Sequence, residues 1–256
     1  MDYNFHTHTY LCRHANGTPE EYIQRAINCG IKDLGFSDHA PMRFPGSEKI
    51  TTRMKPSDAP GYVAHLRELR EKYKDQINLH IGFEMEYYPS YFGEELKAAK
   101  DIGIEYLILG QHFSHEEGSG YQYVTAPIDS ERDLKEHVAQ VVEGIHSGVF
   151  TYVAHPDIFH YIGDPAFYQQ QMRKICTAST KYNVPLEINL LGIRDHRNYP
   201  NPLFWQIAGE EKCPVVFGFD SHDVENVYDR TSLEQAKDMV RKYHLYYIGM
   251  PNLVSL

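Results

Sequence analysis

Tyr106-Leu107-Ile108-Leu109 is an unbroken apolar run that ends in Gly110-Gln111-His112. A strand with one face in water alternates apolar and polar residues. A run with no polar position is covered on both faces, as in a parallel sheet flanked by helices. Similar short runs occur on either side: Asp33-Leu34-Gly35-Phe36-Ser37 and Leu79 to Phe83 before it, and Tyr152-Val153-Ala154, Pro185 to Ile188 and Pro214 to Phe219 after it. With the segment leading into His6 they make seven strands.

Amphipathic helices separate them. Thr18-Pro19-Glu20-Glu21 reads as a capping box with proline at the first helical position, and Gly30 closes that helix. Tyr62, Leu66, Leu69 and Tyr73 share one helical face; Glu94 to Ile102 stops at Gly103; Ser130 caps a helix carrying Leu134, Val138, Val141 and Ile145. Pro165 to Tyr182 is helical, and Thr231 with Glu234 frames a capping box before a last helix to Tyr243. This alternation predicts a single α/β domain over residues 1–256, a distorted seven-stranded (β/α)7 TIM-like barrel, with a doubly wound open sheet as the alternative. Pro41 to Pro60 lacks periodicity and is expected to form a loop or lid over one face.

Composition narrows the function. The 256 residues are 42% hydrophobic, enough for a sizeable core, and carry a net charge of −10. That acidity disfavours a nucleic-acid partner, which is held chiefly by cationic side chains. No G-x-G-x-x-G or P-loop is present. The N-terminus has no signal-peptide pattern, and no run of about 18 apolar residues suggests a membrane span. Cys12, Cys29, Cys176 and Cys213 form no C-x-x-C pair, so reduced thiols and a cytoplasmic location are expected.

Chemistry gathers where strands end. Those ends carry His6-Thr7-His8, Asp38-His39, Glu84-Met85-Glu86, Gln111-His112, His155-Pro156-Asp157, Glu187-Ile188-Asn189 and Asp220-Ser221-His222. Each piece alone has an ordinary explanation, such as a turn cap or a core histidine. Jointly they would ring the C-terminal mouth of a barrel, where barrel active sites lie. Imidazoles and carboxylates without thiolates suit Zn, Mn or Fe. There are too many donors for one ion, so two to three divalent transition metals are expected, an arrangement suited to phosphoester hydrolysis.

Taken together, His6, His8, His14, Asp38-His39, Glu84, His112, His155 and Asp220-x-His222 resemble the polymerase and histidinol phosphatase (PHP) superfamily. Gly35-Phe36-Ser37-Asp38-His39-Ala40-Pro41, Gly82-Phe83-Glu84-Met85-Glu86-Tyr87 and Gly192-Ile193-Arg194 are similar to its histidinol-phosphate phosphatase branch. The resemblance implies a trinuclear site. His6, His8, Glu84 and Asp220 would hold one metal; Glu84, His112 and His155 a second; His14, His39 and His222 a third. Glu86 is the alternative to Glu84 as the bridge, since both point the same way from one strand.

The same resemblance implies hydrolysis of L-histidinol phosphate to L-histidinol and phosphate by a metal-bound hydroxide, in histidine biosynthesis, with the small phosphoester as substrate and neither nucleic acid nor membrane as partner. Arg194 matches the branch's phosphate-binding arginine. A second arginine of the branch is replaced here by His160, and Arg197 or Arg43 could substitute from nearby loops. Tyr87 and Tyr88 are candidate pocket residues, and His115 and His196 lie near site loops. His65, His137, His146 and His244 are expected to be partly exposed helical residues. The competing functions are a phosphoesterase acting on a nucleotide or another small phosphoester, and a non-catalytic metal-binding module.

Overall fold

The computed structural model describes residues 1–116 and 122–256. Eight strands form one parallel sheet in sequential order: β1 Tyr3–Asn4, β2 Asp33–His39, β3 Asn78–Met85, β4 Tyr106–Leu109, β5 Phe150–Val153, β6 Leu186–Asn189, β7 Pro214–Gly218 and β8 Tyr246–Tyr247. The expectation of seven strands is corrected to eight. The eighth is two residues long, exposed in part and paired with Pro214 and Val215, so it has no apolar run to betray it in sequence. The sheet curls: Thr7, beyond β1, bridges to Ser221, beyond β7, and Ser221 N donates to His6 O at 3.1 Å.

The helices are α1 Pro19–Asn28, α2 Ala59–Tyr73, α3 Phe92–Ile102, α4 Glu131–Ser147, α5 Pro165–Tyr182, α6 Leu190–Arg194, α7 Pro202–Glu210 and α8 Arg230–Tyr243. Local signals set most of their ends. Thr18 and Glu21 form the reciprocal capping box of α1, Ser130 accepts from Asp133 N at α4, and Gly103 stops α3 in the left-handed region. One cap differs from expectation. Asp229 rather than Thr231 caps α8, accepting from the N–H groups of Thr231 and Ser232, because a carboxylate at the residue just before the helix reaches both donors. Helices α6 and α7 were not expected; Asn189 and Asn201 cap them.

Two layers of side chains follow from strand alternation. Ile81, Phe83, Leu107, Leu109, Val215 and Phe217 point outward into the large core beneath the helices. Tyr3, Phe5, Tyr106, Ile108, Tyr152 and Val216 fill the inside of the curl. Tyr106 fits only because its neighbours are glycines: a Cβ on Gly82 would lie 2.4 Å from its ring, and one on Gly35 2.2 Å from its hydroxyl. Further along the strands the interior changes from aromatic to ionisable. Glu84, Glu187 and Asn189 are all at most 1% exposed.

Candidate metal centre

Each strand end delivers its side chains to one place. Glu84 Oε2 lies 3.6 Å from His6 Nε2 and 3.4 Å from His8 Nε2; Asp220 Oδ1 lies 3.5 and 3.4 Å from the same two nitrogens. Two imidazole nitrogens and two carboxylate oxygens so close together are a donor set of the kind that holds zinc. Glu84 Oε1 faces the other way, 2.8 Å from His155 Nε2 and 3.4 Å from His112 Nε2. His39 Nδ1 lies 2.9 Å from Glu84 Oε2. His14 Nε2 and His222 Nε2 are 3.0 Å apart, while each Nδ1 faces a backbone carbonyl, of Cys12 and Asp220 respectively. With both Nδ1 atoms donating, two nitrogen lone pairs point at each other, a geometry that a cation between or beside them relieves.

The buried atoms point to the same chemistry. His6 Nε2, His8 Nε2, Glu84 Oε2 and Asp220 Oδ1 are all buried without a hydrogen-bond partner among the described residues. A buried polar atom without a partner costs about 1–3 kcal/mol, and here four converge on one point. The donor set therefore fits divalent ions. His39 is held well below the usual histidine range by burial, and His8 is lowered to about 3 by burial and by His222, so both rings are neutral with lone pairs free. Burial would raise Glu84, but His112, His39 and His6 hold it well below the usual carboxylate range.

Supporting groups fix the rings. Glu187 takes His6 Nδ1 at 2.7 Å and the His155 backbone N–H at 3.0 Å. Glu86 takes His112 Nδ1 at 3.2 Å. Asp38 accepts from the backbone and hydroxyl of Thr9, tying down the segment after His8. His155 and Asp220 sit at φ of 37° and 49°, a region that costs a non-glycine residue strain and that clusters at functional sites.

Residues 4–190 match the family model for the PHP domain. This chain belongs to the PHP domain family. The probable histidinol-phosphatase of Deinococcus radiodurans is 30% identical over 230 residues, covering 85% of each chain. The histidinol-phosphatase of Bacillus subtilis is 24% identical, covering 87% of this chain and 94% of that one. Among solved structures, the histidinol phosphate phosphatase of Lactococcus lactis, complexed with zinc, L-histidinol and phosphate, superposes with a TM-score of 0.70 at 19% identity. That likeness covers 96% of this chain and 95% of the other, and it bears out the barrel-type α/β fold.

In this PHP-family chain the cluster forms the floor of a cavity of about 570 Å³. His14, His39, Glu84, His112, His155, Asp220 and His222 reach it, while His6 and His8 lie beneath, fully buried. Arg194 and Arg197 line the wall, and Asp195 sits between them, 3.3 Å from Arg194 Nε and 3.4 Å from Arg197 Nη2. Arg194 Nη1 is buried with no partner among the described residues. His160 is not among the residues lining the cavity: its Nδ1 donates to Thr125 O at 3.2 Å, because its backbone pairs with Val124 and Ile128. Arg43 is likewise turned away, ion-paired with Glu95 at 2.7 Å.

Other expectations need correcting. Tyr88 packs against Phe44 and donates to Glu86 Oε2, and Tyr87 packs at a tilt against Phe92; Tyr123 and Tyr199 line the cavity instead. His137 is 1% exposed, against Phe159, rather than partly exposed. The lid segment contributes Thr52 and Arg53 to the cavity, which sequence reasoning missed. A lone arginine in an aperiodic loop carries no signal of where it points.

Proposed function

We propose that this protein is a metal-dependent phosphomonoesterase that hydrolyses L-histidinol phosphate to L-histidinol and inorganic phosphate. The convergence of nine histidine, glutamate and aspartate side chains beside a cavity walled by Arg194 and Arg197 carries the reading. Histidinol-phosphatase relatives that align over most of both chains support it.

His6, His8, Glu84 and Asp220 would hold one ion, Glu84 with His112 and His155 a second, and His14, His39 and His222 a third. Bound there, two or three Zn, Mn or Fe ions would supply Lewis acidity and charge neutralisation for displacement at phosphorus. The chain's own groups do the rest. Arg194 has an unpaired N–H to give to a phosphoryl oxygen, and its planar fork suits two oxygens at once. Asp195 keeps Arg194 and Arg197 oriented toward the same space. Tyr199 and Tyr123 supply aromatic walls that limit access of water. No side chain of the cluster is required as a covalent nucleophile.

Phosphate release from a panel of phosphomonoesters, with Mn, Zn and Fe supplied in turn, tests the reading. The highest kcat/KM is expected on L-histidinol phosphate. A better substrate elsewhere in the panel would favour the second reading, a PHP phosphoesterase for another small phosphoester. The position of His160 away from the cavity is the observation in favour of that alternative.

A further inference from the structure

Arg53 comes from the long segment between β2 and α2, yet it is only 5% exposed and borders the cavity. Its Nη1 donates to Ala40 O at 3.0 Å, at the end of β2, and its Nη2 donates to Glu86 Oε1 at 2.9 Å, just past β3. The same Glu86 oxygen is 3.2 Å from His112 Nδ1, and the Tyr88 hydroxyl donates to Glu86 Oε2. With Nδ1 engaged by Glu86, His112 turns Nε2 toward Glu84 Oε1 at 3.4 Å.

We infer that Arg53 is a positioning residue that holds the Glu86 carboxylate in place, so that Glu86 fixes the tautomer and ring orientation of His112 at the metal position shared with Glu84 and His155. The inference rests on the metal reading above. A histidine offers a metal one lone pair, and the partner of its other nitrogen decides which one. Glu86 lies beyond the last paired residue of β3, where the ladder no longer fixes its direction. A guanidinium with one N–H on a strand-end carbonyl and another on the carboxylate supplies that direction, and its rigid fork does so better than a flexible ammonium. One N–H on each terminal nitrogen of Arg53 is given to a protein oxygen, of Ala40 and Glu86 respectively, which is what a role in orienting protein groups requires.

A natural control exists on the same segment. Arg43 Nη1 lies 2.7 Å from Glu95 Oε2, and Glu95 is 3% exposed on α3. This pair pins the segment without touching any of the converging histidines.

The experiment follows zinc release from the loaded full-length protein to a chromophoric chelator, equivalent by equivalent. The proteins compared are the parent, Arg53→Met, Arg53→Lys, Glu86→Gln, the Arg53→Met/Glu86→Gln double variant and Arg43→Met. Removing an orienting partner of a metal-bound histidine typically costs about 10- to 100-fold in affinity. Arg53→Met is therefore expected to speed release of one equivalent by about that factor and leave the others within about threefold of the parent. Arg53→Lys should fall between the two, and the double variant should be little worse than the worse single one, as members of one relay are not additive. Arg43→Met should release all equivalents at the parent's rates. The inference is overturned if Arg53→Met releases every equivalent like the parent, if the double variant is additive, or if Arg43→Met speeds the same equivalent equally, since loop closure alone would then explain the effect. If Arg53→Met does not fold, Arg53→Lys and Glu86→Gln carry the comparison. A parent protein that holds no zinc would instead remove the metal reading itself.

Discussion

His39 and Glu84 are register partners on adjacent parallel strands, and His39 Nδ1 lies 2.9 Å from Glu84 Oε2. Register partners project to the same side of a sheet, so this pairing directs one carboxylate oxygen toward His6, His8 and His39. The other oxygen is left to His112 and His155. One carboxylate thus touches five imidazoles, whereas Glu86, two residues on, reaches only His112 among them.

Replacing Glu84 with alanine is accordingly expected to lower kcat by more than about 100-fold, the upper end of what loss of a supporting group costs. Bound metal should drop by at least one equivalent while the circular dichroism spectrum stays that of the parent. Parental turnover in Glu84→Ala would remove it as the bridge.

Metal content is the second expectation. Two to three transition-metal equivalents should remain with the protein after dialysis, and chelation should abolish phosphate release until Zn, Mn or Fe is returned. Elemental analysis finding one equivalent or none would contradict the cluster's proposed role.

Metal affinity should depend on pH with a definite sign. Burial alone would lower the His6 pKa, but Glu187, Asp220 and Glu84 raise it well above the usual value. The metal-free ring therefore holds a proton at neutral pH, and a metal arriving at Nε2 must expel it. Affinity should weaken as pH falls, by about tenfold per pH unit for one expelled proton. Chelator competition across pH, with proton release followed by an indicator dye, measures both quantities; a flat profile with no released proton would contradict the assignment.

Arg194→Ala should lose a charge-assisted contact of about 2–4 kcal/mol, a fall of roughly 30- to 1000-fold in kcat/KM. Arg194→Lys should recover part of it, and metal content should not change. A kcat/KM within about threefold of the parent would place the phosphate elsewhere.

Gly110 offers a test that leaves every proposed ligand in place. A Cβ at this position would stand 1.9 Å from Glu84 Oε1, so Gly110→Ala must displace the buried carboxylate. Turnover and retained metal should both drop, and thermal unfolding should show a loss of about 1–3 kcal/mol from overpacking. An alanine variant matching the parent in all three would mean that the Glu84 side chain has room to spare.

Most of the architecture was legible in the sequence because its signals are local. An apolar run such as Tyr106–Leu109, a capping box such as Thr18 with Glu21, or a stop such as Gly103 is specified within a few residues. The types of donor at the strand ends were legible for the same reason. The edge strand β8 and the helix α6 were not, being too brief to show a period, and neither was α7, whose largely apolar Pro202 to Ala208 stretch presents no polar face to set one.

What the sequence by itself determined is the alternation of strands and helices and the imidazole and carboxylate chemistry at one mouth of the sheet. Only the tertiary structure decided how those donors face one another. Asp220 meets His6 because the curl of the sheet sets Ser221 against Thr7, and Glu84 rather than Glu86 lies at the centre because strand register points it there. Arg53 reaches the cavity from the middle of an aperiodic loop, and His160 does not, although it lies only five residues after His155. Side-chain direction depends on register, curl and loop path, which arise from contacts between residues far apart in the chain, and no local pattern encodes them.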